Sequence, residues 1–437
     1  MYKLLIVAAL FLVMTSQALA EGVVVETTFY SEALGQDKSV HVYLPDGYNS
    51  SSGRRYPVIY YFHGAGLLLG HDEFPDLVDV LDLLIEDGVI YPVIVVKPDG
   101  YTTPYPASFY TGSVLYGDVE GYIAHDLIQW VDASFRTLPN RVKRTVMGHS
   151  MGGYGAVKFY GEYPDLYQAA AAVCGSGMDL PVMLSINIYG VLGELTGPPY
   201  FYYPSAGFAN GVLFSMAGAF SPNLSNPPFY VDLPLDQWAN YVPEVWALWM
   251  EHNLPQFLQN LPGYQGTDEV RIYFDAGTLD QFYILPACNA FADSLDALGI
   301  NYEYQIFEGG HFDKLHERFT IAVSFLCEKM HHSHPGCDGS WEFSDVPQAE
   351  RTFGYHSAAY DRASFETRIA FDLQIPGFVS LDIYDGMGRV VETLVNSHLD
   401  PGMHNVGFYD SILAPGVYFY NIRSGDTSVT GKVLLLK

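Results

Sequence analysis

Two patterns of hydrophobic positions divide the chain. Over roughly the first 330 residues, short unbroken apolar runs alternate with stretches of helical spacing. Residues 56–62 (YPVIYYF) and 93–96 (VIVV) are β-branched and aromatic throughout, as in strands covered on both faces of a parallel sheet. They end at His63-Gly64 and at Pro98-Asp99-Gly100. Residues 23–30 and 39–44 instead alternate, as antiparallel strands do. Ile123, Leu127, Ile128 and Val131 fall on one helical face within 118–135. Further strands are expected at 144–147, 169–174, 270–274 and 302–307, and helices at 152–163 and 316–330. Strands alternating with helices predict an α/β fold with a mostly parallel sheet. Residues 178–266 interrupt the rhythm with many Pro, the run Tyr200-Phe201-Tyr202-Tyr203 and Trp238, Trp246 and Trp249, which reads as an inserted cap. After about residue 330 the helical period disappears. Residues 331–364 read as a linker, and 365–437 as six or so short strands with turns at Pro376-Gly377, Asp385-Gly386, Pro401-Gly402 and Gly425-Asp426, a small β-sandwich.

The strongest chemical signal lies between the strand at 144–147 and the helix that follows. Gly148-His149-Ser150-Met151-Gly152 is a GxSxG sequence in strand–turn–helix context, which places a serine hydroxyl on a sharp turn flanked by residues small enough to avoid a clash. A serine hydroxyl is a weak nucleophile at neutral pH and needs a base held by an acid. In this architecture the chain order is serine, acid, histidine. The acid is expected beyond the strand VRIYF, where Asp275 and Asp280 both occur. Asp280 lies farther into the loop and is preferred. The base is expected after the last strand, YEYQIF, where Glu308-Gly309-Gly310-His311 lets a flexible loop return histidine to the nucleophile. The oxyanion of an acyl-transfer intermediate needs two backbone N–H donors. Met151 supplies one, and Ala65 or its neighbour Gly66, in the loop after 56–62, supplies the other.

Other candidates read as structural. His149 sits inside the turn and points elsewhere. His63 belongs to a strand-end loop and His125 to a helix. His331, His332 and His334 fall in the linker, where a solvated tract accounts for them better than a metal site. The four cysteines form no CxxC pair, so a zinc knuckle or a thioredoxin motif is excluded, and no cofactor is expected. Cys327 and Cys337 are near enough in sequence to bridge in an oxidising compartment, which the sequence leaves open.

Charge narrows the partners. With 49 acidic against 21 basic residues the net charge is −28, which repels a phosphate backbone and excludes nucleic acid as a natural partner. Residues 1–20 carry Lys3, an apolar run over 4–14 and Ala18-Leu19-Ala20, the layout of a signal peptide cleaved after Ala20. The run is too short for a transmembrane span, and no later stretch resembles one. The expected location is therefore secreted or cell-surface, without stable membrane insertion.

The stretches VHVYLPDGY, RRYPVIYYFHGAG, VIVVKPDG, MGHSMGGYGAVKFYGEYPDLY, FDAGTLDQF and FEGGHF resemble the esterase family of α/β-hydrolases that includes feruloyl and acetylxylan esterases, S-formylglutathione hydrolase, enterochelin esterase-like proteins and mycolyltransferases. The resemblance covers about 310 mature residues and implies Ser150 as nucleophile, Asp280 as acid and His311 as base. The tail, through VSLDIYDGMGRVVETLV, PGMHNVGFYD, APGVYFYNIRSG and KVLLLK, resembles the type IX secretion sorting domain, an Ig-like fold, which implies secretion machinery as a partner. Together they imply a secreted serine carboxylesterase, with feruloyl or acetyl esters of polysaccharides as candidate substrates. An acyltransferase of the same family and a non-catalytic binding protein are the alternatives.

Overall fold

The computed structural model describes residues 21–50, 53–65, 72–259, 261, 269–331, 353–361, 366–373, 375–384, 389–408, 413, 416–425 and 427–435. The proposed signal peptide, Gly66, His332, His334 and Cys337 lie outside the described residues. The chain divides into two units, Met1–His334 and Pro335–Lys437.

In the first unit, eight strands form one sheet: β1 (Val23–Ser31), β2 (Gln36–Leu44), β3 (Val58–Phe62), β4 (Ile94–Pro98), β5 (Arg144–His149), β6 (Ala170–Val173), β7 (Ile272–Gly277) and β8 (Tyr302–Phe307). Their order across the sheet is β1-β2-β4-β3-β5-β6-β7-β8. β2 pairs antiparallel with both neighbours, and every pair from β4 to β8 is parallel. The uninterrupted apolar runs are explained by what covers them. Val58, Tyr60 and Phe62 face one hydrophobic cluster with Tyr122, Leu127 and Val131, while Ile59 and Tyr61 face another with Leu77, Leu81, Phe319 and Leu326. A strand with helices on both sides has no polar face to alternate with.

The helix Phe74–Glu86 was not legible as a separate element, whereas the final helix, Leu315–His331, falls where its spacing places it. Between β6 and β7, where the sequence departs from its rhythm, the chain forms helices Leu180–Gly193, Phe208–Phe220, Pro243–Met250 and Leu254–Leu258. These helices are apolar on nearly all sides, which is why no amphipathic stripe marks them.

The second unit holds two antiparallel sheets among its described residues. One is β9 (Phe353–Asp361), β10 (Glu366–Leu373) and β13 (Gly402–Phe408) in the order β13-β10-β9. The other is β11 (Gly377–Tyr384), β12 (Val390–Leu399), β14 (Gly416–Ser424) and β15 (Thr427–Leu435) in the order β12-β11-β14-β15. Ile369, Phe371, Val379, Leu381, Tyr420 and Ile422 form its core. One boundary is corrected. Residues 353–361, read as linker, are strand β9, paired with β10 from Asp361↔Glu366 to Phe353↔Leu373. Gly354, Ser357, Ala358 and Ala359 hide the period-two pattern, but ladder hydrogen bonds come from the backbone and need no apolar side chain.

Candidate active site

The site lies at the C-terminal ends of the parallel strands, where open α/β sheets place ligands. Ser150 follows β5 directly and holds φ 55° and ψ −120°, a strained conformation for a residue with a side chain. It persists because its surroundings over-determine it. The Ser150 N–H donates to Val173 O (3.0 Å) on β6, and its carbonyl accepts from Gly153 N (2.9 Å) and Ser176 N (2.9 Å). Glycine is required on both flanks. A Cβ on Gly148 would run into the Gly152 carbonyl, and one on Gly152 into that of Phe62. Met151 is the first residue of the helix Met151–Glu162, so its N–H has no intrahelical acceptor.

His311 sits in the loop after β8 and is 1% exposed. Its Nδ1 lies 2.7 Å from Asp280 Oδ2, and its own N–H donates to Gln281 Oε1 (3.2 Å). Asp280 lies just beyond β7, and its Oδ1 accepts from the Phe282 N–H (2.8 Å). Burial pulls the His311 pKa below the ordinary 6.5, even though the bond to Asp280 favours the charged form. His311 is therefore a free base at neutral pH.

The other aspartate has different neighbours. Asp275, within β7, is fully buried. Its Oδ1 accepts from Cys174 N (3.0 Å), and its Oδ2 accepts from Tyr273 Oη (2.8 Å) and Arg318 Nε (3.0 Å). This carboxylate ties β6, β7 and the last helix together and makes no recorded bond to His311.

The loop after β3 is held from two sides. The Gly100 N–H donates to His63 Nε2 (2.8 Å), which leaves the ring proton on Nδ1 to donate to Gly64 O (2.7 Å). Burial lowers the His63 pKa, consistent with a neutral ring. The Gly64 N–H donates to Glu73 Oε1 (2.6 Å). A Cβ on Gly64 would fall 3.3 Å from Ser150 Cβ, so this loop passes directly beside the nucleophile candidate. Ala65, with Ser150 and Met151, lines a cavity of about 690 Å³ that extends beneath the cap helices. Gly66, the alternative donor, lies outside the described residues.

Two members of this site escape sequence reasoning. Glu73 is 1% exposed, and His149 is fully buried. His149 Nδ1 lies 3.6 Å from Glu73 Oε1, and its Nε2 lies 3.1 Å from His311 O. Burial alone would neutralise both. The pair instead holds His149 above its ordinary pKa and Glu73 well below the usual carboxylate range. A buried ion pair thus connects the loop beside Ser150, through Gly64, with the backbone of His311. Nothing in the sequence separates Glu73 from the surface acids around it.

The topology of one antiparallel strand in a parallel sheet, with a serine on a glycine-flanked turn after the fifth strand, defines an α/β-hydrolase. The chain belongs to the family described as "Putative esterase", whose model matches residues 31–314. Similar curated proteins include an esterase of Mycobacterium tuberculosis, 35% identical over 147 residues, which are 34% of this chain and 31% of that protein. An endo-1,4-beta-xylanase/feruloyl esterase of Xylanibacter ruminicola is 34% identical over 140 residues, 30% of this chain and 19% of that one. The matches thus span a third or less of these relatives' length. Among solved structures, a ferulic acid esterase is 18% identical, with a TM-score of 0.46 over 71% of this chain and 99% of that one. An S-formylglutathione hydrolase from Agrobacterium tumefaciens is 15% identical, with a TM-score of 0.46 over 72% of this chain and 97% of that one.

Proposed function

We propose that the protein is a secreted serine carboxylesterase. His311 Nε2 takes the proton of the Ser150 hydroxyl as its oxygen attacks the ester carbonyl carbon. The Met151 N–H, with that of Ala65 or Gly66, stabilises the oxyanion. When the tetrahedral intermediate collapses, His311 returns the proton to the leaving alcohol. Water, activated by the same base, then releases the acid and frees Ser150. Asp280 holds the ring with Nε2 toward the serine and stabilises the imidazolium formed at each step. The observation that carries the reading is the buried 2.7 Å pairing of His311 with Asp280, at the strand ends that also present Ser150.

Export would follow from residues 1–20, and passage through an outer membrane from the C-terminal unit, which makes secretion machinery its partner. The substrate is then an extracellular ester, for which feruloylated or acetylated polysaccharide fits the family resemblance. Among the described residues no helix is long and apolar enough to cross a membrane.

The test is hydrolysis of p-nitrophenyl acetate by the mature protein beside Ser150→Ala, read against pH. Turnover is expected in the wild type and not in the variant. The acid limb of kcat/KM is expected below pH 6.5, because activity needs neutral His311 and its pKa lies under that value. A folded wild type without turnover, or a variant as active as wild type, would remove the proposal.

A further inference from the structure

We propose that the cavity beneath the cap holds an aliphatic acyl chain longer than acetyl. This inference rests on the esterase reading and names the acyl side of its substrate. The cavity of about 690 Å³ is far larger than an acetyl group requires and lies within the range of dedicated ligand sites. Packed interiors keep few voids larger than a water molecule, so a space of this size beside the nucleophile is a feature of the fold.

The lining decides the chemistry. Met183 and Leu184 on Leu180–Gly193, and Leu213 and Met216 on Phe208–Phe220, line the cavity from the cap, together with the rings of Phe208, Tyr241 and Phe282. No lysine or arginine lines it among the described residues, so nothing there receives an anionic acyl group. Four of its polar side chains are committed to the protein itself. Asn187 Nδ2 donates to Met183 O (3.0 Å) and Phe282 O (3.3 Å). Gln281 Oε1 accepts from the His311 N–H, and Glu73 and His149 face each other. A feruloyl group brings a phenol that loses free energy when buried without a partner, whereas an alkyl chain brings no such group.

Exposure along the lining assigns the chain to the acyl side. Tyr189 and Tyr283 line it yet are 77% and 58% exposed, so they mark the opening. Leu213 and Met216 also line it and are 2% and 1% exposed, so they wall it off from solvent. A leaving alcohol must escape before water can attack, and it has no exit through a wall of buried side chains. The acyl group stays on Ser150 through both steps and belongs there.

The experiment measures kcat/KM for p-nitrophenyl acetate, butyrate, hexanoate, octanoate and dodecanoate, with methyl ferulate and a series of alkyl acetates alongside. Each methylene buried adds about fourfold, the factor equivalent to ~0.8 kcal/mol. A rise of that order from acetate to at least hexanoate is expected, with a flat response in the alkyl acetates and ferulate below octanoate. In Val212→Trp, which narrows the cavity, the octanoate-to-acetate ratio is expected to fall at least tenfold. Ester turnover with acetate or ferulate as the best acyl group, or a rise confined to the alcohol series, would overturn the inference and leave the esterase reading standing. If no ester is turned over, the esterase reading falls. Saturable binding of a fluorescent fatty acid to Ser150→Ala, weakened by the Val212→Trp change, would then still be required of the cavity, and its absence would overturn this inference too.

Discussion

Asp280→Asn is expected to lower kcat about 10⁴-fold with KM little changed, and Asp275→Asn to lower stability while leaving the turnover of each folded molecule close to wild type. The first effect follows from the bond between His311 Nδ1 and Asp280 Oδ2. An asparagine keeps the shape but loses the charge that stabilises the imidazolium, and its amide nitrogen can donate to Nδ1 and turn the ring proton toward the serine. In triads of this kind that change costs about 10⁴ in kcat. The second effect follows from Asp275 being the fully buried partner of Arg318. Removing one member of a buried pair strands the other and costs about 3–5 kcal/mol. Steady-state kinetics and thermal unfolding of both variants separate the two roles. A collapse of kcat in Asp275→Asn, with Asp280→Asn active, would exchange the assignments.

Glu73→Ala is expected to lower kcat by about 10²-fold, in the range found when one oxyanion donor is lost, and Glu73→Gln by less. Alanine removes the acceptor that holds the Gly64 N–H and so frees the loop carrying Ala65. Glutamine keeps an acceptor oxygen and loses only the charge opposite His149. The pH dependence of stability identifies that charge. The depressed pKa of Glu73 contributes stability fully present above its ordinary 4.5 and lost as pH falls through the lowered value. The raised pKa of His149 contributes stability fully present below its ordinary 6.5 and lost as pH rises through the raised value. The two contributions overlap between pH 4.5 and 6.5, where the stability difference between wild type and Glu73→Gln should be greatest, about 3 kcal/mol. Denaturant titrations across pH measure it. A difference independent of pH would mean that the two groups are not an ion pair in the folded protein.

What the sequence made legible was local. The turn at Ser150 announces itself because strand, glycines and helix are contiguous, and the backbone there can be built in only one way. Asp280 and His311 could be proposed because each closely follows a strand and chain order ranks them. Asp275 was separable from Asp280 only by its place within β7, since its partners lie as far away as Arg318. Glu73 had no local signal at all. It becomes part of the site through His149, 76 positions along the chain, and through Gly64, which only the sheet brings beside it. The cap was visible as a break in rhythm, but which of its residues face the cavity was not. The fold leaves Phe201 73% and Trp238 54% exposed, and lines the cavity with aliphatic side chains such as Leu213 and Met216 as well as with Phe208 and Tyr241. Composition reports which residues a segment owns, and only the tertiary structure decides which of them face the ligand.

The central claim is that Ser150 is a nucleophile made reactive by His311. The most direct measurement is intact-mass and peptide analysis of the mature protein after treatment with a fluorophosphonate. The account predicts a single covalent adduct on Ser150, absent in Ser150→Ala and formed far more slowly in Asp280→Asn. A folded wild type that takes up no label, or takes it up on another residue, would contradict it.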